Sequence, residues 1–450
     1  MTRRPLACVI LAAGKGTRMK SDLPKVLHRV AGRPMIGHVL AAVGALDPDH
    51  VVVVVGPGME DVAAAVAPYP TAVQERQLGT ADAVRAAFGL LEGFPGDVLV
   101  LYGDTPLVTP KTLRAMVDAR AGAADPAVVV LGMRPGDPGA YGRLILDPQG
   151  GLEKIVEYLD ATPEERAVGL CNAGLMAFDG ARMVDLIGRI GNANAKGEYY
   201  LTDVVQIARA SGMACAVVEG DDQEVIGVNS RVELAEVEAL LQRRLRRAAM
   251  ENGATLADPE TVYFSFDTRL GRDVVVGQNV VFAPGVTVGD RVEIKPFCHL
   301  EQVTVHAGAI LGPYARLRPG AEIGPDAHIG NFVEIKNAKV EAGAKVNHLT
   351  YIGDARVGSK ANIGAGTITC NYDGFGKYRT DIGEGAFIGS NSSLVAPVSI
   401  GAGAIVGAGS VVTQDVTGDA LAVARGRQQT YPGWAADFRD RKRREKAKKD

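Results

Sequence analysis

The chain has 450 residues, which at about 100–200 residues per domain predicts two or three domains. An apolar fraction of 47% and a charged fraction of 22% are ordinary for a globular protein, and a formal net charge of -3 gives no global field for nucleic acid or a membrane surface. Five cysteines (Cys8, Cys171, Cys215, Cys298, Cys370) lie far apart with no CxxC pair, which speaks against a disulfide frame or a zinc site and predicts a reducing cytoplasm.

Residues 7–13 read as a short buried strand running straight into a glycine turn. That turn, with its charges and no small-residue cleavage site, separates the stretch from a secretory signal. No apolar run approaches the roughly 18 residues needed to cross a bilayer. Residues 35–46 carry helical spacing, and residues 51–55 are five valines, the composition of a fully buried strand. Residues 61–67 and 81–91 read as helices, and residues 98–101 and 128–131 as further strands. Strands alternating with helices predict βαβ units, a mostly parallel sheet and a Rossmann-like α/β domain over residues 1–229. Such sheets bind ligands beyond the carboxyl ends of their strands. The first glycine turn and Tyr102-Gly103-Asp104 both fall there.

Residues 230–253 predict a linker helix. Ser230 suits the N-cap and Gly253 the stop. Arg243, Arg244, Arg246 and Arg247 near its end read as a solvated face that complements the helix dipole. Residues 254–450 then change period. Ile382, Ile388, Leu394, Ile400, Val406 and Val412 recur every six residues, and Gly383, Gly389, Gly401 and Gly407 directly follow four of them. This hexapeptide period predicts a parallel β-helix, with the aliphatics filling a triangular prism and residues 18 apart stacked on successive coils. We assign the glycines to turns that an ordinary side chain resists. The period breaks over residues 369–381, a candidate functional loop. The basic tail, residues 439–449, reads as frayed.

Two groups of residues carry the chemistry. The first is Leu11-Ala12-Ala13-Gly14-Lys15-Gly16-Thr17-Arg18-Met19 followed by Leu23-Pro24-Lys25. Gly14 and Gly16 let the backbone approach a phosphate, and Arg18 and Lys25 are candidate catalytic cations. No GK[ST] completes a P-loop, and Met19 stands where a dinucleotide fingerprint needs a third glycine. The second group lies in the repeats. Arg318 and Lys336 are 18 apart, so they should stack on one face, where a bound anion such as a sugar phosphate would relieve their repulsion. His348 is a candidate base for acyl transfer to an amine. Ser390 and Ala408, also 18 apart, leave room along the prism for a thin acyl donor. Cys370 has no evident base or helix terminus to activate it, so no thiol mechanism is read.

The first group resembles the sugar-phosphate nucleotidylyltransferases, whose signature is LxxGxGTRM followed by PK. The likeness continues through Gln74, Gln77-Leu78-Gly79-Thr80, Tyr102-Gly103-Asp104, Tyr141-Gly142-Arg143, Ile155-Val156-Glu157, Asn172-Ala173-Gly174 and Gly227-Val228-Asn229. It implies that Leu11, Ala12, Ala13, Gly14, Lys25, Gln74, Gly79, Thr80, Tyr102, Gly103, Asp104, Gly142, Glu157, Asn172 and Asn229 bind UTP and the nucleotide sugar. Asp104 and Asn229 would hold Mg²⁺.

The repeats resemble the left-handed β-helix acyltransferases. The whole chain is similar to the bifunctional N-acetylglucosamine-1-phosphate uridylyltransferase/glucosamine-1-phosphate acetyltransferase family. The strings from Ala315 to Gly320, Gly330 to Lys336, His348 to Tyr351 and Asn362 to Gly374 carry that likeness. It implies His348 as general base and Arg318, Lys336, Tyr351 and Asn362 as ligands of glucosamine-1-phosphate. Ala365, Asn371, Tyr372, Ser390, Ala408 and Arg425 would line the acetyl-CoA site. It further implies a homotrimer whose acetyl site is shared between subunits, and UDP-N-acetylglucosamine as product. Two other readings stay open: a single-activity nucleotidylyltransferase whose β-helix only oligomerises it, and a regulatory protein that kept the nucleotide fold.

Overall fold

A computed structural model describes residues 4–194 and 197–448. They fall into two compact units, Met1–Arg247 and Ala248–Asp450.

In the first unit, strands β1 (Leu6–Leu11), β2 (His50–Val55), β3 (Thr71–Val73), β4 (Asp97–Tyr102), β5 (Val128–Met133), β6 (Arg143–Leu146), β7 (Leu152–Val156), β8 (Cys171–Asp179) and β9 (Cys215–Glu219) share one sheet. Its main path is β9-β5-β8-β4-β1-β2-β3. Alternate residues of each central strand feed two separate cores: Ala7, Val9 and Leu11 on one face, Leu6, Cys8 and Ile10 on the other. Burial on both faces is why β1, β2 and β4 are nearly continuous apolar runs. β1 is parallel to both β2 and β4. The chain leaves β1 toward β3 on one side and returns to β4 on the other, so a switch point lies at their carboxyl ends.

The sheet is mixed. β8 runs antiparallel between β4 and β5, and β6 and β7 form a hairpin beside it. A register shift between Asn172 and Met176 interrupts β8, which hides its alternation in the sequence. The helices α1 (Met35–Gly44) and α2 (Glu60–Ala65) lie close to their expected spans. The helix expected over residues 81–91 is shorter: α3 (Thr80–Ala86) gives way to a 3-10 turn at Phe88–Leu90.

The helix α4 (Arg231–Glu251) begins at a reciprocal cap, in which Ser230 Oγ accepts from Glu233 N and Glu233 Oε2 accepts from Ser230 N. Its Val237 and Leu240 join Met19, Val30, Met35, Leu107 and Val228 in a small core, so its first turns belong to the first unit. The arginine run is not simply solvated. Arg246 is buried, and Arg244 Nη1 donates to the Leu107 carbonyl at 2.8 Å. These side chains follow the packed face of the helix, which their charge alone does not reveal.

In the second unit, three all-parallel sheets of ten, eight and eight strands form the faces of the prism. Ile382, Ile388, Leu394, Ile400, Val406 and Val412 all point inward and are at most 4% exposed. The glycines after them serve a different purpose from the one expected. A Cβ on Gly383, Gly389 or Gly401 would come within 2.4 Å of the next coil's backbone, so close stacking demands glycine there. The left-handed corners are instead often occupied by other residues, among them Phe297, Tyr314, Phe332 and Leu349. Some coils advance by 18, as from Val275 to Glu293, and others by 17, as from Glu334 to Tyr351. The ejected loop lies where Ala355 pairs with Thr380. The tail is not frayed throughout: helix α5 (Trp434–Lys446) occupies much of it, fully exposed, with the Trp434 and Phe438 rings stacked at 5.2 Å. No helix among the described residues is long and apolar enough to cross a membrane.

Candidate active sites

A cavity of about 730 Å³ opens at the carboxyl ends of β1 and β4. Leu11, Ala12, Ala13, Gly14, Lys25, Gln74, Gly79, Thr80, Tyr102, Asp104, Glu157 and Asn172 line it, which brings together most of the residues singled out for the nucleotide. Gly14 has open space where a side chain would be, so its backbone is accessible to a ligand. Gly16 has φ +60°, and a Cβ there would sit 2.6 Å from Lys25 Cβ, so glycine lets the turn fold back against Lys25. Gly79 has φ +114°, and its Cβ would meet the Tyr199 carbonyl at 2.6 Å.

Lys25 is the electrostatic centre. Its ammonium forms an ion pair with Asp104 and donates to Asn229 Oδ1 at 3.1 Å. Val228 N donates to the Asp104 carbonyl at 3.0 Å, which draws the Asn229 segment to the end of β4. Two hard oxygens thus approach one cationic atom. Among the described residues no group of three or more His, Cys, Asp or Glu side chains could hold a metal. One carboxylate with one amide oxygen still suits Mg²⁺, which keeps most of its waters. Tyr102 is held neutral, burial first and then Asp104 and Glu157 pushing its hydroxyl well above the usual tyrosine range.

Arg18, Gly103, Gly142 and Asn229 do not line the cavity. Gly142 stands beside it, where a Cβ would lie 3.6 Å from the Glu157 carboxylate. Arg18 is exposed on a 3-10 turn, Thr17–Met19. The segment around Tyr199 was not anticipated. Tyr199 N donates to Leu78 O, Leu201 N to Thr80 Oγ1 at 3.0 Å and Thr202 Oγ1 to Glu157 Oε1 at 3.3 Å, which brings Glu198, Tyr200 and Thr202 to the cavity wall. It has no regular period, and only these long-range bonds reveal its place.

On the prism, Arg316 pairs with Glu334 and Arg318 N bonds to Ile335 O, so Arg318 lies one rung from Lys336 as the 18-residue step requires. Their repulsion is partly met within the chain, because Arg318 Nη1 pairs with Glu334 Oε1 at 2.8 Å. Lys377, in the ejected loop, adds a third cation that sequence reasoning missed. It comes first among the causes that push the Lys336 ammonium below the usual lysine range, ahead of desolvation and Arg318. Asp354 is depressed despite its burial, because Asn337 and Asn371 bond to it and Lys377 and Lys336 lie near. Tyr351 and Asn362 occupy strands of the coils above.

His348 pairs in register with Asn331, one 17-residue coil below. Its Nδ1–H donates to Asn331 Oδ1 at 2.8 Å. An amide oxygen can only accept, so Nδ1 is the donor, and in the neutral ring the lone pair then falls on Nε2. Asn331 was missed because an 18-residue step from His348 points to Gly330. Asn371 is 7% exposed and tied to Asp354, while Tyr372 is exposed and bridges to Lys377 across the ejected loop. Ala365 O accepts from Asn391 N at 2.7 Å. Ser390 and Ala408 stack on adjacent coils, and exposed Arg425 lies just beyond them.

Known proteins show the same two parts. The MobA-like NTP transferase domain family matches residues 8–161. The bacterial transferase hexapeptide family (six repeats) matches residues 267–302, 302–337 and 379–414, the repeats of a left-handed parallel β-helix. The chain is 63% identical to the bifunctional protein GlmU of Paramagnetospirillum magneticum, across 100% of both. The chain belongs to the GlmU family. It is also 67% identical to the GlmU protein of Rhodospirillum rubrum over 97% of this chain and 98% of that one, and 52% identical to that of Zymomonas mobilis over 98% and 99%. Identity at this level extends across both units, so neither is an addition to the family's plan.

Proposed function

We propose that this chain makes UDP-N-acetylglucosamine in two steps, one in each unit. In the second unit the amine of glucosamine-1-phosphate attacks the thioester carbonyl of acetyl-CoA. The C–N bond forms, the C–S bond breaks, His348 Nε2 takes the amine proton and coenzyme A leaves as thiolate. Arg318 and Lys336 hold the sugar phosphate, with Tyr351 and Asn362 alongside. Ala365, Asn371, Tyr372, Ser390, Ala408 and Arg425 receive acetyl-CoA.

In the first unit a phosphate oxygen of N-acetylglucosamine-1-phosphate attacks the α-phosphorus of UTP, and pyrophosphate leaves. Catalysis of this kind is mostly positioning and charge neutralisation. The glycine turn from Gly14 cradles the phosphates, Lys25 neutralises them, and Gln74, Gly79 and Thr80 meet the base. Gly142, Glu157 and Asn172 meet the sugar. Asp104 and Asn229 would hold Mg²⁺, which supplies further neutralisation of the triphosphate. Arg18, exposed on the 3-10 turn Thr17–Met19, serves with Lys25 as a catalytic cation toward the triphosphate.

The observation that carries this reading is the pair of separately built cationic groups on one chain: Lys25 between Asp104 and Asn229, and Arg318 with Lys336 a rung apart on the prism, the same prism that carries His348 bonded to Asn331. A scaffold-only β-helix has no need of the second. We further propose a homotrimer, since Tyr372, Ser390, Ala408 and Arg425 of the acetyl-CoA set stand exposed on one prism. We take the compartment to be the cytoplasm, which the five free cysteines support. Incubation with glucosamine-1-phosphate, acetyl-CoA and UTP tests the whole reading. Nucleotide sugar should form only when all three are present; formation without acetyl-CoA, or none with all three, would contradict it.

A further inference from the structure

Gln74 sits at 5% exposure, so its amide cannot turn freely into water. Its Nε2 donates to the Gly79 carbonyl at 3.0 Å and to Asp82 Oδ2 at 2.8 Å. Both hydrogens of the amide nitrogen are thereby committed. Turning the amide over would set Oε1 against two oxygens, one of them a carboxylate that can only accept. The carboxylate is itself held, because Leu78 N donates to the same Oδ2 at 3.2 Å from just before α3. Gln74 lines the cavity and Asp82 does not. What Gln74 has left for a ligand there is Oε1, an acceptor.

We infer that Asp82 is a positioning residue that locks the Gln74 amide with its oxygen toward the nucleotide base, and so selects uracil over cytosine. Uracil carries an N3–H donor on its pairing edge, whereas cytosine carries a lone pair on N3. A fixed acceptor pairs with the first and repels the second, and a site with a committed hydrogen-bonding group rejects a mismatched analogue far more strongly than shape alone does. Helix capping does not account for the arrangement. The bond to Leu78 N, one residue before the N-cap Gly79, fixes the approach to α3, and the bond to Gln74 adds nothing to that.

The inference rests on Gln74 meeting the base, so the experiment separates the two. The full chain is assayed for pyrophosphate release from UTP or CTP with Mg²⁺ and N-acetylglucosamine-1-phosphate, as wild type, Asp82→Ala, Asp82→Asn and Gln74→Ala. In Asp82→Ala the ratio of kcat/KM for UTP over CTP should fall about tenfold, the loss of one charge-assisted hydrogen bond. The fall should come from a higher KM for UTP, with kcat within about twofold of wild type. Asp82→Asn keeps an acceptor oxygen and should lose about threefold, which also carries the test should the alanine variant not fold. An unchanged ratio in the folded Asp82 variants, with a reduced ratio in Gln74→Ala, overturns the role of Asp82 alone. An unchanged ratio in Gln74→Ala as well overturns the reading of Gln74 as the base contact.

Discussion

In the first unit Leu11, Ala12 and Gln74 are 8%, 4% and 5% exposed around a cavity walled by one chain, whereas in the second Tyr372 is 61% exposed and His348 and Arg425 also face outward. The contrast follows from architecture. A doubly covered sheet turns its loops over one end, and those loops make a concave site. A solenoid has flat faces and fixed rungs, so it aligns groups well and encloses them poorly. Asn331 beneath His348 and Arg318 beside Lys336 are products of that alignment. Enclosure has to come from the ejected loop, which contributes Lys377 and Tyr372, or from another copy of the chain, in line with the proposed trimer.

This comparison can be broken at several points. The largest effect is expected from Asp104→Asn. It should lower uridylyl transfer by about a hundredfold or more, as loss of a key electrostatic group does, and leave acetyl transfer alone. Chelation of divalent cations should reproduce that split, stopping pyrophosphate release while coenzyme A release continues. Next is Asn331→Ala. With its tautomer no longer fixed, His348 should lose roughly tenfold in acetyl-transfer kcat, with KM for glucosamine-1-phosphate little changed. A KM effect instead would mean that Asn331 binds substrate.

Lys336→Ala should raise KM for glucosamine-1-phosphate about tenfold by removing a charge-assisted contact, at nearly constant kcat. The smallest effect concerns pH. Lys336 is depressed in the folded chain by Lys377, so in the interval between that value and the ordinary lysine value the unfolded chain binds more protons. Its contribution to stability therefore rises with pH through that interval. An anion bound among these cations reverses the depression, so glucosamine-1-phosphate should take up protons on binding there, measurable by calorimetry in buffers of different ionisation enthalpy.

Much of this was legible in the residues. The valine run, the glycine turn ending at Lys25 and the period of six each reflect a packing rule that acts locally. Most residues tied to the nucleotide by motif do meet in one cavity. What escaped depends on distance and count. β8 is disguised by its bulge, and the Tyr199 segment reaches the cavity through bonds to Leu78, Thr80 and Glu157 that are distant in sequence. The 17-residue step of this part of the prism moves the partner of His348 from Gly330 to Asn331. The hexad glycines were located correctly and explained wrongly, since nearness of the next coil is invisible in one hexad. Arg18 shows what the motif's spelling does not give: it belongs to the string, yet its side chain stands exposed and outside the cavity lining.

The most direct test of two independent catalysts on one chain is His348→Ala assayed twice. With N-acetylglucosamine-1-phosphate, UTP and Mg²⁺ it should release pyrophosphate at the wild-type rate, and with glucosamine-1-phosphate and acetyl-CoA its turnover should fall by about a thousandfold. Undiminished acetylation would reduce the prism to a scaffold, and a joint loss of both reactions would mean the two units do not work separately.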